Sequence, residues 1–191
     1  MQLNNEAPRS LALVGMPGSG KTLCAQHLAG QGFYQFRFGG IIENEVVARG
    51  LPVNPQNERV VREEFRQNEG MDAIAKRALP HLRAALETHH SIIIDGLYGF
   101  SEYKLLKPAL GQDMVVVAIA CSRRLRYERL AQRPVRPLTP QEAEERDWRE
   151  IDFLEKGGPI AIADYTLVND RDTDSLLHDL DTLIQSLGLR P

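Results

Sequence analysis

The stretch "GMPGSGKT", residues 15–22, decides how the rest of the chain is read. It fits the pattern G-x-x-x-x-G-K-[ST] and directly follows the apolar run "SLALV", residues 10–14. A loop of this pattern between a strand and a helix cradles phosphate. Gly15, Gly18 and Gly20 can take positive φ and carry no side chain, so successive backbone N–H groups can curl round an anion. A helix opening near Lys21 adds the positive end of its dipole. Lys21 is placed to reach the β and γ phosphates and Thr22 to offer its hydroxyl to Mg2+, while Ser19 adds a weaker contact.

Around the loop, further apolar runs rich in branched residues recur: "SIIID" ending at Asp95, "MVVVAIAC" ending at Cys121 and "DYTLVN" ending at Asn169. A weaker one, "FYQFRF", spans residues 33–38. Runs of this length without polar alternation predict strands covered on both faces, as in a parallel sheet. Helical patterns separate them. The best, "MDAIAKRALPHLRAALETHH", puts Met71, Ile74, Ala78, Leu82 and Ala85 on one stripe, with Pro80 predicting a kink or a break. The last helix, near 174–187, aligns Leu176, Leu180, Leu183 and Leu187 and is expected to stop at Gly188. Strands alternating with helices imply right-handed crossovers and a three-layer α/β/α sandwich whose ligands bind at the carboxyl ends of the strands.

A chain of 191 residues suits one domain with one well-buried core. No segment approaches the roughly 18 apolar residues of a membrane span, and the first ten residues lack the apolar centre of a signal peptide, so a cytoplasmic protein is expected. A net charge of −3 argues against a general nucleic-acid binder and does not choose between monomer and homodimer. Cys24 and Cys121 show no metal-ligand spacing and read as small buried hydrophobes in a reducing compartment.

Two further elements carry chemistry. Asp95 ends an apolar strand beside the phosphate loop, where a carboxylate orders the Mg2+ shell directly or through water, although a helix cap is the plainer use of such a residue. Between 123 and 136, "RRLRYERLAQRPVR" is followed by the acidic "PQEAEERDWREIDFLE". Arg123, Arg124 and Arg126 read as the solvated face of a helix paired with the acidic one. Arg129, Arg133 and Arg136 instead run into Pro134 and Pro137, where a helix must stop or turn. A helix–loop–helix of this kind between two strands looks like a lid that brings cations to a transferring phosphoryl group.

These residues resemble the nucleoside monophosphate kinase and dephospho-CoA kinase group of P-loop kinases, most closely adenylate-kinase-related proteins. The likeness covers nearly the whole chain and rests on "GMPGSGKT", "FRFGGIIENEVVARGL", "EGMDAIAKRALPHL", "IIIDG", "RLRYERLAQR", "EERDWRE" and "IAIADYTLVND". It implies a five-stranded parallel sheet, a helical acceptor-binding segment near 39–70, an arginine-bearing lid near 130–150, ATP as phosphoryl donor, and Asn169 near the adenine. Relatives that phosphorylate nucleotides carry an Asp and an Arg after the second strand, where this chain has Gly40 and Glu43, and an Arg shortly after the "DG" of the third, where it has Tyr98 and Gly99. Each lost charge-assisted contact to an acceptor phosphate is worth about 1.5–3 kcal/mol.

The donor half therefore reads as intact and the acceptor half as rewritten. Arg37, Glu43 and Tyr98 are the candidate acceptor-site residues. Arg37 and Arg49 can restore a phosphate site from new positions, Arg62 and Arg66 are one turn apart, and Glu43 or Glu45 can serve as base for a hydroxyl acceptor. An exposed helix face accounts for these residues equally well. The leading expectation is a Mg-ATP phosphotransferase acting on a small nucleotide-like acceptor. Its rivals are a kinase of a hydroxyl-bearing metabolite resembling dephospho-CoA, and a nucleotide-dependent binding protein without acceptor turnover.

Overall fold

In the computed structural model, which describes residues 9–111 and 114–191, the strand before the phosphate loop is β1 (Ser10–Val14). It is buried along its whole length at the centre of a five-stranded sheet of order β2-β3-β1-β4-β5. The others are β2 (Tyr34–Arg37), β3 (Ile92–Asp95), β4 (Met114–Ala120) and β5 (Tyr165–Val168), and every pairing is parallel. All carboxyl ends therefore lie along one edge, with Arg37 beside Asp95 and Leu13 on its other side. Nine helices connect the described strands or follow them: α1 (Lys21–Gly30), α2 (Phe38–Ala48), α3 (Pro55–Glu69), α4 (Ala73–Thr88), α5 (Phe100–Leu110), α6 (Arg123–Ala131), α7 (Pro140–Asp152), α8 (Gly157–Ala161) and α9 (Thr173–Ser186).

Successive residues of a strand point to opposite faces, so the apolar runs feed two cores. Ala12, Val14, Ile92 and Ile94 pack with residues of α2 to α5, while Leu11, Leu13 and Ile93 pack with residues of α1 and α9. The edge strand β5 departs from the expectation of two-sided cover, because Tyr165, Thr166 and Val168 are exposed. The four clearest runs and the weaker fifth all form strands. The third and fourth end one residue early, at Ala120 and Val168, with the Asn169 N–H still donating to the Ala120 carbonyl at 2.7 Å.

Local signals set the helix ends. Asn54 accepts from the Asn57 N–H at the start of α3, and Thr139 and Glu142 form a reciprocal capping box at the start of α7. Gly188 closes α9 with φ 67°, as expected. Pro80 does not break α4, which runs unbroken through it. The ring lies on the exposed side, and the packed stripe of Ala75, Ala78, Leu82 and Ala85 holds the helix through the lost hydrogen bond. Among the described residues no helix is long and apolar enough to cross a membrane. The reading of the N-terminus falls mostly on residues 1–8, outside those described.

The basic and acidic helices pair as expected, but Arg126 is not solvated. Its guanidinium makes a two-pronged bond to Asp147 of α7, at 2.9 and 2.5 Å, with both side chains buried. Tyr127 donates to the same carboxylate at 3.2 Å. Helical spacing shows which residues share a face and leaves open what covers that face. Arg123 and Arg124 keep the expected exposed positions. Removing one member of a buried pair strands the other, which costs about 3–5 kcal/mol. Arg126→Met and Asp147→Leu are each expected to lower unfolding stability by that order in denaturant titration, and the double variant by less than the sum.

Candidate active site

The loop between β1 and α1 has Gly15, Gly18 and Gly20 at φ 148°, 79° and 108°. At Gly15 the requirement is also steric, since a Cβ there would lie 2.6 Å from the Ile119 carbonyl. Distant side chains hold the loop's own carbonyls. Arg126 donates to Pro17 O at 3.0 Å, and the Asn169 amide donates to Ser19 O at 2.7 Å. Lys21 folds back and donates to Gly15 O at 2.6 Å and Met16 O at 3.2 Å. The Ser19 hydroxyl is buried and has no partner among the described residues. A buried hydroxyl without a partner and a lysine bonded only to carbonyls fit an anion in this cradle.

Thr22 is exposed in the first turn of α1, and Asp95 stands at the end of β3, where Gln35 donates to its Oδ2 at 2.8 Å. Mg2+ is usually held by one or two protein oxygens, with phosphate and water completing the octahedron. Thr22 and Asp95 fit that donor set. Among the described residues no cluster of three or more His, Cys, Asp or Glu suits a metal.

Sequence reasoning missed the electrostatic centre of the site. Glu150, at the end of α7, is 6% exposed and accepts from Arg146 Nε at 2.9 Å and from the Lys156 ammonium. Lys156 is itself 3% exposed and lies 4.8 Å from the centre of the Tyr98 ring. Burial first, then Lys156, depress the Lys21 ammonium to about 7 against the opposing pull of Glu150 and Asp95. Burial and Arg146 likewise lower the Arg133 guanidinium. Burial opposes ionisation of Glu150, yet Lys156 and Arg146 hold its carboxyl below the usual range. Arg146 and Lys156 thus share one buried carboxylate, and its charge and that of Lys156 both act on Lys21 of the loop. Arg146 and Glu150, one turn apart in "RDWRE", were readable as a helical face; nothing in "LEKGG" marked Lys156.

The lid arginines of the sequence separate. Arg133 is exposed on the α6–α7 loop, has no hydrogen bond or ion pair among the described residues, and is within the field of Arg146 and Glu150. Arg129 donates to the Asn169 carbonyl at 3.1 Å and side-chain oxygen at 3.3 Å, and reaches Cys121 Sγ at 3.2 Å, so it braces the ends of β4 and β5. Arg136 is exposed on the α6–α7 loop, with φ 55°. Cys24 is buried as expected, whereas Cys121 is only half-buried because it faces this polar edge.

Of the residues expected to hold an acceptor, Arg37 is exposed and donates to Glu43 at 3.0 Å, while Glu45 and Glu64 both hold Arg49. Tyr98 lies beside Lys156, its phenol raised by burial first and then by Asp95 and Glu150. Gly99 explains the missing arginine, because a Cβ there would lie 2.8 Å from the Leu154 carbonyl. The segment that follows α7 occupies the space; the Phe100 N–H donates to Glu155 O at 3.2 Å and the Ser101 N–H to Glu155 Oε2 at 2.7 Å.

A parallel sheet of this order, with a phosphate loop after its central strand and a helix–loop–helix beside it, defines the P-loop kinase fold. Residues 11–149 match the AAA domain family. The chain belongs to the UPF0200 family: it is 33% identical to the UPF0200 protein of Thermococcus sibiricus over 183 residues, 94% of this chain and 96% of that protein. Solved structures with the same fold include shikimate kinase from Acinetobacter baumannii in complex with shikimate, at TM-score 0.58 and 19% identity over 96% of both chains. A gluconokinase from Sinorhizobium meliloti aligns at TM-score 0.56 and 14% identity over 96% of this chain and 97% of that one.

The depressed Lys21 gives a pH-dependent outcome with a definite sign. Above pH 7 the free protein holds Lys21 mostly neutral, and a bound polyphosphate favours its charged form. Nucleotide binding at pH 8 is therefore expected to take up about one proton, falling toward zero below about pH 6. Calorimetry in buffers of different ionisation enthalpy measures this uptake, and Lys21→Met removes most of it.

Proposed function

We propose that the protein is a Mg-ATP-dependent phosphotransferase acting on a small nucleotide-like acceptor. The observation that carries this reading is the pairing of Arg146 and Lys156 on the buried Glu150, close enough to the phosphate loop for Lys156 and Glu150 both to act on Lys21. Cations in such excess fit a ligand rich in negative charge. In phosphoryl transfer, charge spreads over the oxygens of the moving group, and catalysis is mostly positioning and electrostatic stabilisation. In this reading the loop N–H groups and Lys21 hold the β and γ phosphates, and Arg133, Arg146 and Lys156 meet the transferred group. Glu150 keeps the latter two paired before nucleotide arrives. Thr22 and Asp95 would hold Mg2+, which would neutralise part of the phosphate charge.

Residues 39–70, with most of α2 and all of α3, form the acceptor arm, and residues 130–150 form the lid. Asn169 and Arg129 shape the end of the nucleotide site where β4 and β5 finish. The two free cysteines accord with a reducing, cytoplasmic setting. That solved structures of the fold include a shikimate kinase and a gluconokinase is consistent with phosphoryl transfer to a small molecule. The alternative of a hydroxyl acceptor with Glu43 or Glu45 as base draws no support from geometry, because arginines hold both carboxylates.

A coupled assay with a panel of nucleoside monophosphates, nucleosides and dephospho-CoA tests the reading. ADP and phosphorylated acceptor are expected in equal amounts. Arg146→Met and Lys156→Met are expected to lower kcat about 10²-fold by removing charge that faces the transferring group. Glu43→Gln and Glu45→Gln should leave turnover near normal. Tight nucleotide binding with no transfer to any member of the panel would instead identify a nucleotide-dependent binding protein.

A further inference from the structure

Every lysine and arginine between 37 and 77 is engaged in a close ion pair except two. Arg37 bonds Glu43, Arg49 bonds Glu45 and Glu64, Arg59 bonds Glu63, Lys76 bonds Asp72 and Arg77 bonds Glu69, all within 3.2 Å. The exceptions are Arg62 and Arg66, one turn apart on α3. The Arg62 side chain has no hydrogen bond or ion pair among the described residues, and Arg66 has only a carboxylate oxygen of Glu102 at 3.8 Å, beyond hydrogen-bonding reach.

Arg66 is the more costly of the two to leave unpaired. Its side chain is 11% exposed, and its Nε–H is buried without an acceptor. Glu102, fully buried, does not supply one. Its Oε2 accepts from the N–H groups of Tyr98 at 2.9 Å and Gly99 at 3.1 Å, which caps α5, while its Oε1 stays unpartnered. Burial also pushes the Glu102 carboxyl above its usual range despite those two bonds, which weakens it as a counter-ion. A buried guanidinium with unused donors is stable only when an anion completes it. Its forked donors suit the paired oxygens of a phosphate or carboxylate.

The position is as informative as the deficit. Glu102, in the first turn of α5, holds the N–H of Tyr98 in the turn that follows Asp95, so Arg66 meets that turn at the strand edge that also carries the phosphate loop. Arg62 acts on both Arg66 and Tyr98, while Tyr98 also feels Asp95 and Glu150. Tyr98 lies between the arginine pair and the Glu150 cluster in the sense that its ring is 4.8 Å from Lys156 and its backbone N–H bonds the same Glu102 that faces Arg66. We propose that Arg62 and Arg66 form the anion-binding subsite for the acceptor, and that the acceptor is a small molecule bearing a phosphate or carboxylate group. This rests on the phosphotransferase reading for the word acceptor, and replaces Arg37 as the residue holding it.

The test uses the full chain saturated with Mg2+ and a non-hydrolysable ATP analogue. Calorimetry with nucleoside 5′-monophosphates and with small hydroxycarboxylates separates the two anion classes, and nucleosides and neutral polyols serve as controls. Binding confined to one anionic class is expected. Arg66→Met should weaken it at least about 30-fold and Arg62→Gln about 10-fold, with affinity for the ATP analogue unchanged within about twofold. In turnover assays the same variants should raise the acceptor KM and leave the ATP KM in place. Arg66→Met combined with Glu102→Gln removes the stranded carboxylate and keeps the cap, so anion binding still lost at wild-type melting temperature excludes a merely structural role. Anion affinity that survives in both Arg66→Met and Arg62→Gln overturns the proposal, as does transfer to a neutral acceptor at unchanged KM. Arginine-dependent anion binding without any phosphoryl transfer would keep the subsite and overturn the phosphotransferase reading instead.

Discussion

A loop that turns its N–H groups toward a ligand must point its carbonyls elsewhere, and those carbonyls need partners. In this protein they are found far along the chain. Arg126 takes Pro17, Asn169 takes Ser19, and Lys21 covers Gly15 and Met16. The glycines allow the loop its shape, but the side chains that arrive from α6 and from the end of β5 fix it. The order of the sheet brings those groups there. Because β4 pairs with β1 on one side and β5 on the other, whatever follows either strand arrives at the loop from the same edge. The Arg126 and Asp147 pair then ties α7 to that framework, so the helix carrying Arg146 and Glu150 has a defined place relative to the loop.

Charge is arranged by a similar economy. Burying several cations together is unfavourable, and a single carboxylate among them relieves only part of the strain. Glu150 pairs with Arg146 and Lys156 and orders both, while burial first and then Lys156 lower the affinity of Lys21 for its proton. The site is thus organised before any ligand enters, and what it lacks is negative charge. The same deficit recurs on a smaller scale in α3, since acidic neighbours satisfy every cation from 37 to 77 except Arg62 and Arg66.

The sheet, its flanking helices and the phosphate loop were legible because they depend on patterns local in sequence: short unalternated apolar runs, a glycine spacing, caps such as Thr139 with Glu142. The site was legible only where a motif carried it. Lys21, Thr22 and Asp95 announced themselves by position after strands. Arg126 was misread because helical spacing gives a shared face but not its cover, and the groups that cover it, Pro17 and Asp147, lie 109 and 21 residues away. Lys156 and Glu102 carried no signal at all. One lies in an unremarkable "LEKGG" and the other in an ordinary first turn, and both gain meaning only from what tertiary packing sets against them. Pro80 shows the converse, a strong local signal that the packing of α4 overrides.

The contact between Gly99 and Leu154 joins two segments that are distant in sequence into a single unit of change. No side chain can be added at 99 while the Leu154 carbonyl stays where it is, and the Glu155 bonds to Phe100 and Ser101 keep it there. An arginine at this position is therefore out of reach of any single substitution. It would need the 154–158 segment to be rebuilt first, and with it the placement of Lys156. Residues of α3 can change one at a time, but the turn after Asp95 and the segment after α7 must be inherited, or replaced, together.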